Sequence, residues 1–222
     1  MFKIDESIGI AFPGTSMGIL IMKNVSASQS YEGQEVTEVM NVLHQKYAGL
    51  ERKELKELSP IQAYVSYYKK FGDSYPVLAQ LESVLKGKKS LPAEAGLLQT
   101  MFLTELEGML LTAGYDLSKL QLPLLLKTAD GTEIYQSISG KEVVAVNGDM
   151  MLCDTHKTIS SILRGPDYES RITEATTEVL FSIYATPGIE SAYIETNLQK
   201  LEKRIKALAP SAKTELLQVF SC

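Results

Sequence analysis

The sequence predicts an α+β domain with a mainly antiparallel sheet and several packed helices. Helical periodicity dominates residues 35–107, whereas short β-prone segments separated by turn dipeptides dominate residues 122–184. This segregation differs from the regular strand-helix alternation of a parallel sheet. No repeat, low-complexity tract or clear linker divides the chain, so we expect residues 1–222 to form a single domain.

The N-terminal half is predicted to be mostly helical after one β-rich start. Residues 8–22 are apolar and β-branched around Pro13-Gly14, which predicts a strand, a break and a second strand. Apolar residues then recur every three or four positions over residues 35–58, as in an amphipathic helix. Pro60 suits the first turn of the next helix. Further helices are expected over residues 61–71, 77–85 and 93–107.

Two turn dipeptides, Asp130-Gly131 and Asn147-Gly148, dominate the β-rich half. Both tolerate the positive φ angles of tight hairpins, so we predict two successive hairpins. The first would pair residues 122–127 with 132–138, and the second would pair residues 142–146 with 150–153. A further strand over residues 177–184 and a closing amphipathic helix over residues 189–208 complete the predicted elements.

Composition limits the possible functions. The net charge of -5 argues against long-range attraction to nucleic acid, so any RNA binding must use a local basic patch. Two cysteines, Cys153 and Cys222, are too few for a disulfide framework and are expected to be free. The early acids Asp5 and Glu6 do not suit a secretory leader, and no apolar run approaches the ~20 residues needed to cross a bilayer. We expect a cytoplasmic protein.

Two catalytic motifs are weak in their contexts. Residues 14–18 match the pattern G-x-S-x-G, but a nucleophile elbow needs a helix after the serine, and here a strand-like run follows. A turn between strands is the preferred interpretation. Cys153, Asp154 and His156 cluster in sequence, yet no further ligand stands at a zinc-site spacing. Phosphate-binding and dinucleotide-binding glycine patterns are also missing. The sequence therefore predicts no metal and no cofactor.

A short basic loop is the local candidate for RNA contact. Lys86, Lys88 and Lys89 lie at a predicted helix end and could bind a phosphate. The tyrosines that could stack a base beside them are Tyr64, Tyr67 and Tyr68. The alternative is that the lysines are solvated and simply offset the helix dipole.

Three stretches, in order, resemble the B-three/B-four module of the bacterial phenylalanyl-tRNA synthetase beta subunit and its stand-alone relatives. The first comprises residues 64–72 and the run L-K-G-K-K-S-L-P at residues 85–92. The second is G-Y-D-L-S-K-L at residues 114–120. The third comprises M-L-C-D at residues 151–154, Gly165 and residues 169–177. The resemblance spans roughly residues 61–187, and the order of the motifs carries it.

The resemblance implies a synthetase beta-subunit editing-domain-like fold and a tRNA partner bound by its acceptor end. It implies hydrolysis, in trans, of an amino acid wrongly esterified to tRNA. The family's pocket threonine, histidine and glutamate correspond to Met101, Ala113 and Ser182. Losing both polar groups that recognise tyrosine should remove that specificity, because a buried hydroxyl without a partner costs ~1–3 kcal/mol.

The resemblance assigns candidate roles to several positions. Ester cleavage needs a held water and donors aimed at the developing oxyanion. The hydroxyls that could serve are those of Thr112, Thr173, Thr176 and Ser182, and backbone N–H groups near Gly165 could be the donors. Arg164 and Arg171 are the candidates for terminal phosphates, because guanidinium groups pair with phosphate oxygens. Asp116 and Asp154 are expected to anchor turns.

Three functions remain open from the sequence. The first is a trans-acting aminoacyl-tRNA deacylase. The second is a non-catalytic RNA-binding module, favoured by the missing pocket histidine and glutamate. The third is a binding protein for a free amino acid or related metabolite, favoured by the net acidity.

Overall fold

The computed structural model describes residues 2–26, 34–87 and 96–222. The helices are α1 (Glu6–Ala11), α2 (Gln34–Tyr47), α3 (Arg52–Leu55), α4 (Ser59–Lys70), α5 (Pro76–Leu85), α6 (Gly96–Gly108) and α7 (Ser191–Leu208). The strands are β1 (Phe2–Ile4), β2 (Ser16–Lys23), β3 (Thr112–Asp116), β4 (Leu124–Thr128), β5 (Ile134–Gln136), β6 (Glu142–Val144), β7 (Met150–Cys153), β8 (Thr158–Ser161), β9 (Gly165–Pro166), β10 (Glu178–Ala185) and β11 (Lys213–Ser221). A 3₁₀ turn, Leu117–Lys119, follows β3.

Two larger sheets organise the described chain, and β5 and β6 form a separate two-stranded sheet. A four-stranded antiparallel sheet has the order β11-β2-β10-β3, and a five-stranded sheet has the order β1-β4-β7-β8-β9. Only the β1-β4 pair is parallel in these two sheets. The α+β class with a mainly antiparallel sheet is therefore confirmed. No helix in the described residues is long and apolar enough to cross a membrane.

The first predicted strand is wrong, because residues 6–11 form helix α1. Asp5 caps this helix by accepting a hydrogen bond from the Ser7 N–H at 3.0 Å. Ile8 is fully buried while Ile10 is 81% exposed. An alternating strand would have placed these two isoleucines on one face, whereas a helix separates them. The strand after the Pro13-Gly14 break is confirmed as β2.

The helical half follows the sequence pattern with one break. The single helix predicted over residues 35–58 is divided into α2 and α3. Gly49 lies in the connection, and the Glu54 carboxylate accepts a hydrogen bond from the Glu51 N–H at 2.8 Å, which caps the new helix start. Helices α4, α5 and α7 confirm their predictions within two residues, with Pro60 in the first turn of α4.

The two predicted hairpins are replaced by one long hairpin. Strand β4 pairs with β7, and β5 pairs with β6 inside them. Gly131 and Gly148 do adopt positive φ angles of 88° and 82°, but neither dipeptide turns a hairpin of its own, and Gly131 lies against Asn147 of the opposite connection. The hairpin turns at Ser137 instead, where its carbonyl accepts a hydrogen bond from the Gly140 N–H at 2.8 Å. The dipeptides lie in the two connections between the β4–β7 pair and the β5–β6 pair, because pairing between distant strands outweighs their preference for a tight hairpin turn.

The predicted base-stacking role of the tyrosines in α4 is wrong. Tyr64, Tyr67 and Tyr68 are at most 2% exposed, and each hydroxyl is satisfied inside the protein. Tyr64 donates to the Tyr184 carbonyl at 2.5 Å and accepts from the Leu111 N–H at 3.0 Å. These tyrosines therefore join α4 to the sheets, since buried hydroxyls must find partners.

The hydrophobic core runs continuously from the helices through both sheets, with β2 and β10 at its centre. This continuity supports our proposal that residues 1–222 form a single domain. At Gly18 in β2, helix α7 approaches so closely that an added Cβ would lie 2.6 Å from Ile194 Cγ2 and 3.1 Å from Leu198 Cδ1.

We predict that Gly18→Ala destabilises the protein by about 1–3 kcal/mol, because the added methyl group overpacks the contact between β2 and α7. Urea unfolding measures the change. Gly49→Ala is the matched control, since an added Cβ there meets nothing within 4 Å. Equal stability of the two variants would show that α7 is not seated against Gly18.

Glu105 is a buried carboxyl in α6. It is 4% exposed, and its Oε1 accepts a hydrogen bond from the Thr112 N–H at 2.9 Å. Burial raises the pKa of Glu105 to about 8, and the single backbone hydrogen bond offsets only part of that shift. The folded protein therefore holds this proton more tightly than the unfolded chain does.

We predict that stability is highest at acidic pH and falls as pH rises from about 4.5 towards about 8. The sign follows because ionisation favours the unfolded state, by about 1.4 kcal/mol for each unit of pKa difference. Urea unfolding at a series of pH values measures the loss. Glu105→Gln should flatten the profile over this window, whereas Glu142→Gln on an exposed strand should not. A parental profile that rises across the window would contradict the assignment.

Candidate functional site

A polar cleft of about 620 Å³ lies where β3, β5 and the segment 167–175 meet. Its lining residues are Asp116, Ser118, Lys119, Gln136, Tyr168, Glu169, Arg171, Thr173 and Ala175. Most of these carry a charge, a hydroxyl or an amide. A cleft of this volume and polarity is suited to a polar ligand or a nucleotide-sized group.

The Asp116 carboxylate holds the wall of the cleft together. Its Oδ1 accepts hydrogen bonds from the Ser118 N–H at 3.0 Å and the Ser118 hydroxyl at 2.6 Å. Its Oδ2 accepts from the Thr176 hydroxyl at 2.8 Å, and that hydroxyl accepts from the Thr173 N–H at 2.9 Å. Asp116 thus joins the end of β3 to the segment that carries Thr173. The predicted turn-anchoring role is confirmed here.

A second set of contacts fixes the other wall. Asp167 is buried and accepts hydrogen bonds from Ser170 and, at 2.8 Å, from Lys157 Nζ. Lys157 also pairs with Glu169 at 2.6 Å. Burial alone would lower the pKa of Lys157, but its hydrogen bonds to Asp167 and Glu169 raise it overall. Lys157 therefore stays charged, and it joins the start of strand β8 to the segment 167–175 that lines the cleft.

Arg171 and Tyr168 form a stacked platform in the cleft. The Arg171 guanidinium carbon lies 3.6 Å from the centre of the Tyr168 ring, and its Nη1 donates to the Tyr168 carbonyl at 2.7 Å. Tyr168 remains 37% exposed. A flat guanidinium held on an aromatic ring is preorganised for phosphate contact or for stacking on a base.

The charges of the cleft are only partly neutralised within the protein. The acids Asp116 and Glu169 are already engaged, by hydroxyl groups and by Lys157 respectively. Among the described residues, neither Lys119 nor Arg171 forms a salt bridge. The lining thus carries two acids, Asp116 and Glu169, and two cations, Lys119 and Arg171, and the cations are the charged groups left without a salt bridge within the described residues.

The structure brings three of the predicted site residues to this cleft. Arg171 and Thr173 line it, and Thr176 supports its wall through Asp116. Thr173 is exposed, whereas Thr176 is buried with its hydroxyl already bonded. Of the predicted hydroxyls, Thr173 is thus the one positioned to meet a ligand there.

The other predicted pocket residues lie in the packed interior. Ser182 and Ala113 are register partners in β10 and β3, and they are 0% and 8% exposed. Thr112 is buried next to them, and its hydroxyl donates to the Leu110 carbonyl at 3.0 Å. Met101 is buried in α6. A catalytic or binding role for these four positions stays a prediction, and it would require the interior to open.

The remaining predicted residues lie on other surfaces. Gly165 opens β9 at a φ of 76°, and its carbonyl accepts a hydrogen bond from the Tyr135 hydroxyl at 2.7 Å. Arg164 is exposed, with Nη1 at 3.8 Å from Asp73 Oδ2. Lys86 is exposed at the end of α5. Lys88 and Lys89 lie outside the described residues.

Sequence reasoning assigned no individual role to six lining residues: Ser118, Lys119, Gln136, Tyr168, Glu169 and Ala175. Tyr168 had a usable signal, because an aromatic residue three positions before an arginine can stack with it inside one turn. Gln136 had no such signal. It lies at the cleft because the Tyr168 N–H donates a hydrogen bond to the Gln136 backbone carbonyl at 2.9 Å. That contact joins segments 32 positions apart.

The other motifs take structural roles. Ser16 begins strand β2, and its hydroxyl lies 2.8 Å from that of Ser221. A helix precedes it and a strand follows, the reverse of a nucleophile elbow. Asp154 anchors a turn by accepting hydrogen bonds from the His156 and Lys157 N–H groups at 2.8 Å and 2.9 Å. The described residues contain no group of side chains arranged to hold a metal, and both cysteines are free.

The chain folds like part of a tRNA-synthetase subunit. Its structure resembles an N-terminal fragment of the phenylalanyl-tRNA synthetase beta subunit from Pyrococcus horikoshii, with a TM-score of 0.52 and 12% sequence identity. The match covers 100% of this chain and 54% of that chain, so the chain spans about half of the fragment it resembles. At this identity the likeness establishes the fold alone.

No protein-family model matches the sequence, and no curated protein sequence matches it.

We predict that Asp116→Asn destabilises the protein by about 1–3 kcal/mol, because an amide nitrogen cannot accept the hydrogen bonds of Thr176 or Ser118. Amide hydrogen exchange should also accelerate across residues 170–176. Asp130→Asn is the matched control, since Asp130 caps an exposed turn by accepting only from neighbouring residues. Unchanged exchange in Asp116→Asn would show that the carboxylate does not hold this wall.

Proposed function

We propose that this chain is a tRNA-binding protein. The acceptor end of the tRNA binds in the polar cleft of about 620 Å³ that Arg171 lines, the Arg171 cleft. The observation that carries the proposal is the exposed stack of Arg171 on Tyr168, beside Lys119, in a polar cleft. A guanidinium and a lysine can neutralise phosphates, and an aromatic ring can stack on an unpaired base. The likeness to a synthetase beta-subunit fragment supports tRNA as the nucleic acid.

The charge distribution limits this interaction to local contacts. The chain carries a net charge of -5, so it repels nucleic acid at long range. Affinity must come from local contacts, and each contact to a phosphate adds a similar amount to the slope of log affinity against log salt. An unpaired RNA end suits such a site, because its bases are accessible for stacking and its phosphates are few.

We predict that Arg171→Ala weakens tRNA binding about tenfold or more, because it removes both a phosphate contact and the stacked platform. Stacking alone is worth about 1–3 kcal/mol per base, and 1.4 kcal/mol is a factor of ten. Filter binding at several salt concentrations measures the loss. Arg171→Lys separates the two contributions, since it keeps the charge and loses the planar stack.

Two controls test the placement of the tRNA. Lys213→Ala, on the exposed side of β11, should leave affinity unchanged. A tRNA that lacks its 3′-terminal nucleotides should bind the parent protein more weakly and lose its sensitivity to Arg171→Ala. Equal binding of trimmed and intact tRNA would contradict the placement of the acceptor end.

We further propose that the bound ester is hydrolysed. Ser118, Gln136 and Thr173 line the cleft, and the exposed Thr173 hydroxyl can hold a water beside an ester carbonyl. The water oxygen bonds to the carbonyl carbon, the bond to the terminal ribose oxygen breaks, and that oxygen takes a proton from the water. Free amino acid and uncharged tRNA are the products. Positioning and electrostatics suffice for such a step, without a protein nucleophile.

A panel of mischarged tRNAs tests hydrolysis and locates the site. If the cleft is the reaction site, Thr173→Ala should reduce release of the amino acid and Thr173→Ser should retain it. Loss of activity in Ser182→Ala but not in Thr173→Ala would instead place the reaction at the sequence-predicted interior residues. Binding without release for every tRNA would leave the chain as a non-catalytic RNA-binding module. Calorimetric heat with a free amino acid, and none with tRNA, would favour the metabolite-binding alternative.

A further inference from the structure

A second cleft, of about 150 Å³, lies between α3, α4 and the start of α5. Three cationic side chains line it, those of Arg52, Lys56 and Lys69, and the carboxylate in its lining is that of Asp73. Its volume is sufficient for a phosphate group and too small for a base with its ribose. No residue of this cleft lines the Arg171 cleft.

The sequence explains why the cations gather here. Arg52 and Lys56 are four residues apart around the buried Leu55, so the short helix α3 directs both towards the same side. Lys69 comes from the last turn of α4. Buried tyrosines fix α4 against the sheets, which holds Lys69 opposite α3.

Most of this positive charge is not neutralised by the protein. Arg52 pairs with Glu82. Lys56 and Lys69 are exposed, and neither forms a salt bridge in the part of the chain that the structure describes. Helix α5 begins beside them with no side chain capping its first turn, so its positive end adds to the local potential. An acidic protein that keeps unpaired lysines together in one cleft creates a local attraction for anions.

Arg164 is a further cation at this cleft, where it forms a salt bridge with Asp73. Its Nη1 lies 3.8 Å from Asp73 Oδ2, at the edge of the cation-lined cleft. Arg164 also precedes Tyr168 by four residues, so their Cα atoms are at most about 14 Å apart. Cations therefore occur at intervals from α3 to the Arg171–Tyr168 stack. A row of separated cations fits a polymer with a phosphate at each residue better than it fits one small anion.

We propose that the cation-lined cleft binds backbone phosphates of the same tRNA whose acceptor end enters the Arg171 cleft. This inference rests on the proposed function and adds a second, sequence-independent contact to it. Contacts to phosphates set the position of a protein on a nucleic acid without reading its sequence. The cleft would accordingly align the tRNA stem and leave recognition of its end to Arg171 and Tyr168.

The test compares the parent protein with Lys56→Gln/Lys69→Gln in filter binding across a salt series. The probes are an intact tRNA transcript and the same transcript without its 3′-terminal nucleotides. Each lost phosphate contact should reduce the slope of log affinity against log salt by about 1, so the double variant should lose about 2 with both RNAs. Lys3→Gln/Lys213→Gln, at exposed positions outside both clefts, is the charge-matched control and should keep the parental slope.

The two proposals fail in different ways. An unchanged slope in Lys56→Gln/Lys69→Gln overturns the phosphate cleft, while weaker binding of the trimmed transcript still supports the acceptor-end site. A reduced slope with equal binding of both transcripts supports the phosphate cleft and overturns the acceptor-end site. Absence of any tRNA binding by the parent overturns both. Thermal unfolding should show parental stability for both double variants, because all four lysines are exposed.

Discussion

The close packing of β2 and β10 between α7 and the rest of the core is the constraint on which the fold depends. Both strands are buried along nearly their whole length, and they pair in register over eight residues. Gly18 lets α7 approach β2 closely. From helix α4, the Tyr64 hydroxyl donates a hydrogen bond to the backbone carbonyl of Tyr184 in β10. With the centre so filled, ligand-binding space has to lie at the ends and outer surfaces of the sheets.

Buried polar groups give this interior its specificity. The hydroxyls of Tyr115, Tyr184 and Ser160 are bonded to one another between the two sheets, and Tyr67 donates to Asp149 at 2.6 Å. Such networks hold elements in one arrangement because each broken bond leaves a buried group without a partner. The same reasoning explains why the α4 tyrosines serve the core and are not available to RNA bases.

The Arg171 cleft lies at the end of strand β3, at the edge of the buried core. Asp116 stands at the last position of β3, and its carboxylate gathers the 3₁₀ turn and the segment before β10. The lining residues are thus held by a strand end, although most of them belong to a loop. A preorganised site on a rigid scaffold is the usual arrangement for recognition. The cation-lined cleft has the same character, since α3 and α4 are positioned by buried residues.

The sequence by itself determined the fold class, the helices α4, α5 and α7, the strands β2 and β10, and the turns anchored at Asp116 and Asp154. These depend on local periodicity, capping and turn chemistry. The tertiary structure decided that β4 pairs with β7, that α1 is a helix, and that β3, β8, β9 and β11 are strands. It also placed Ser182 and Thr112 in the interior and brought Tyr168 beside Gln136. Such features depend on partners distant in sequence, because strand pairing and side-chain burial are set by what the rest of the chain packs against them.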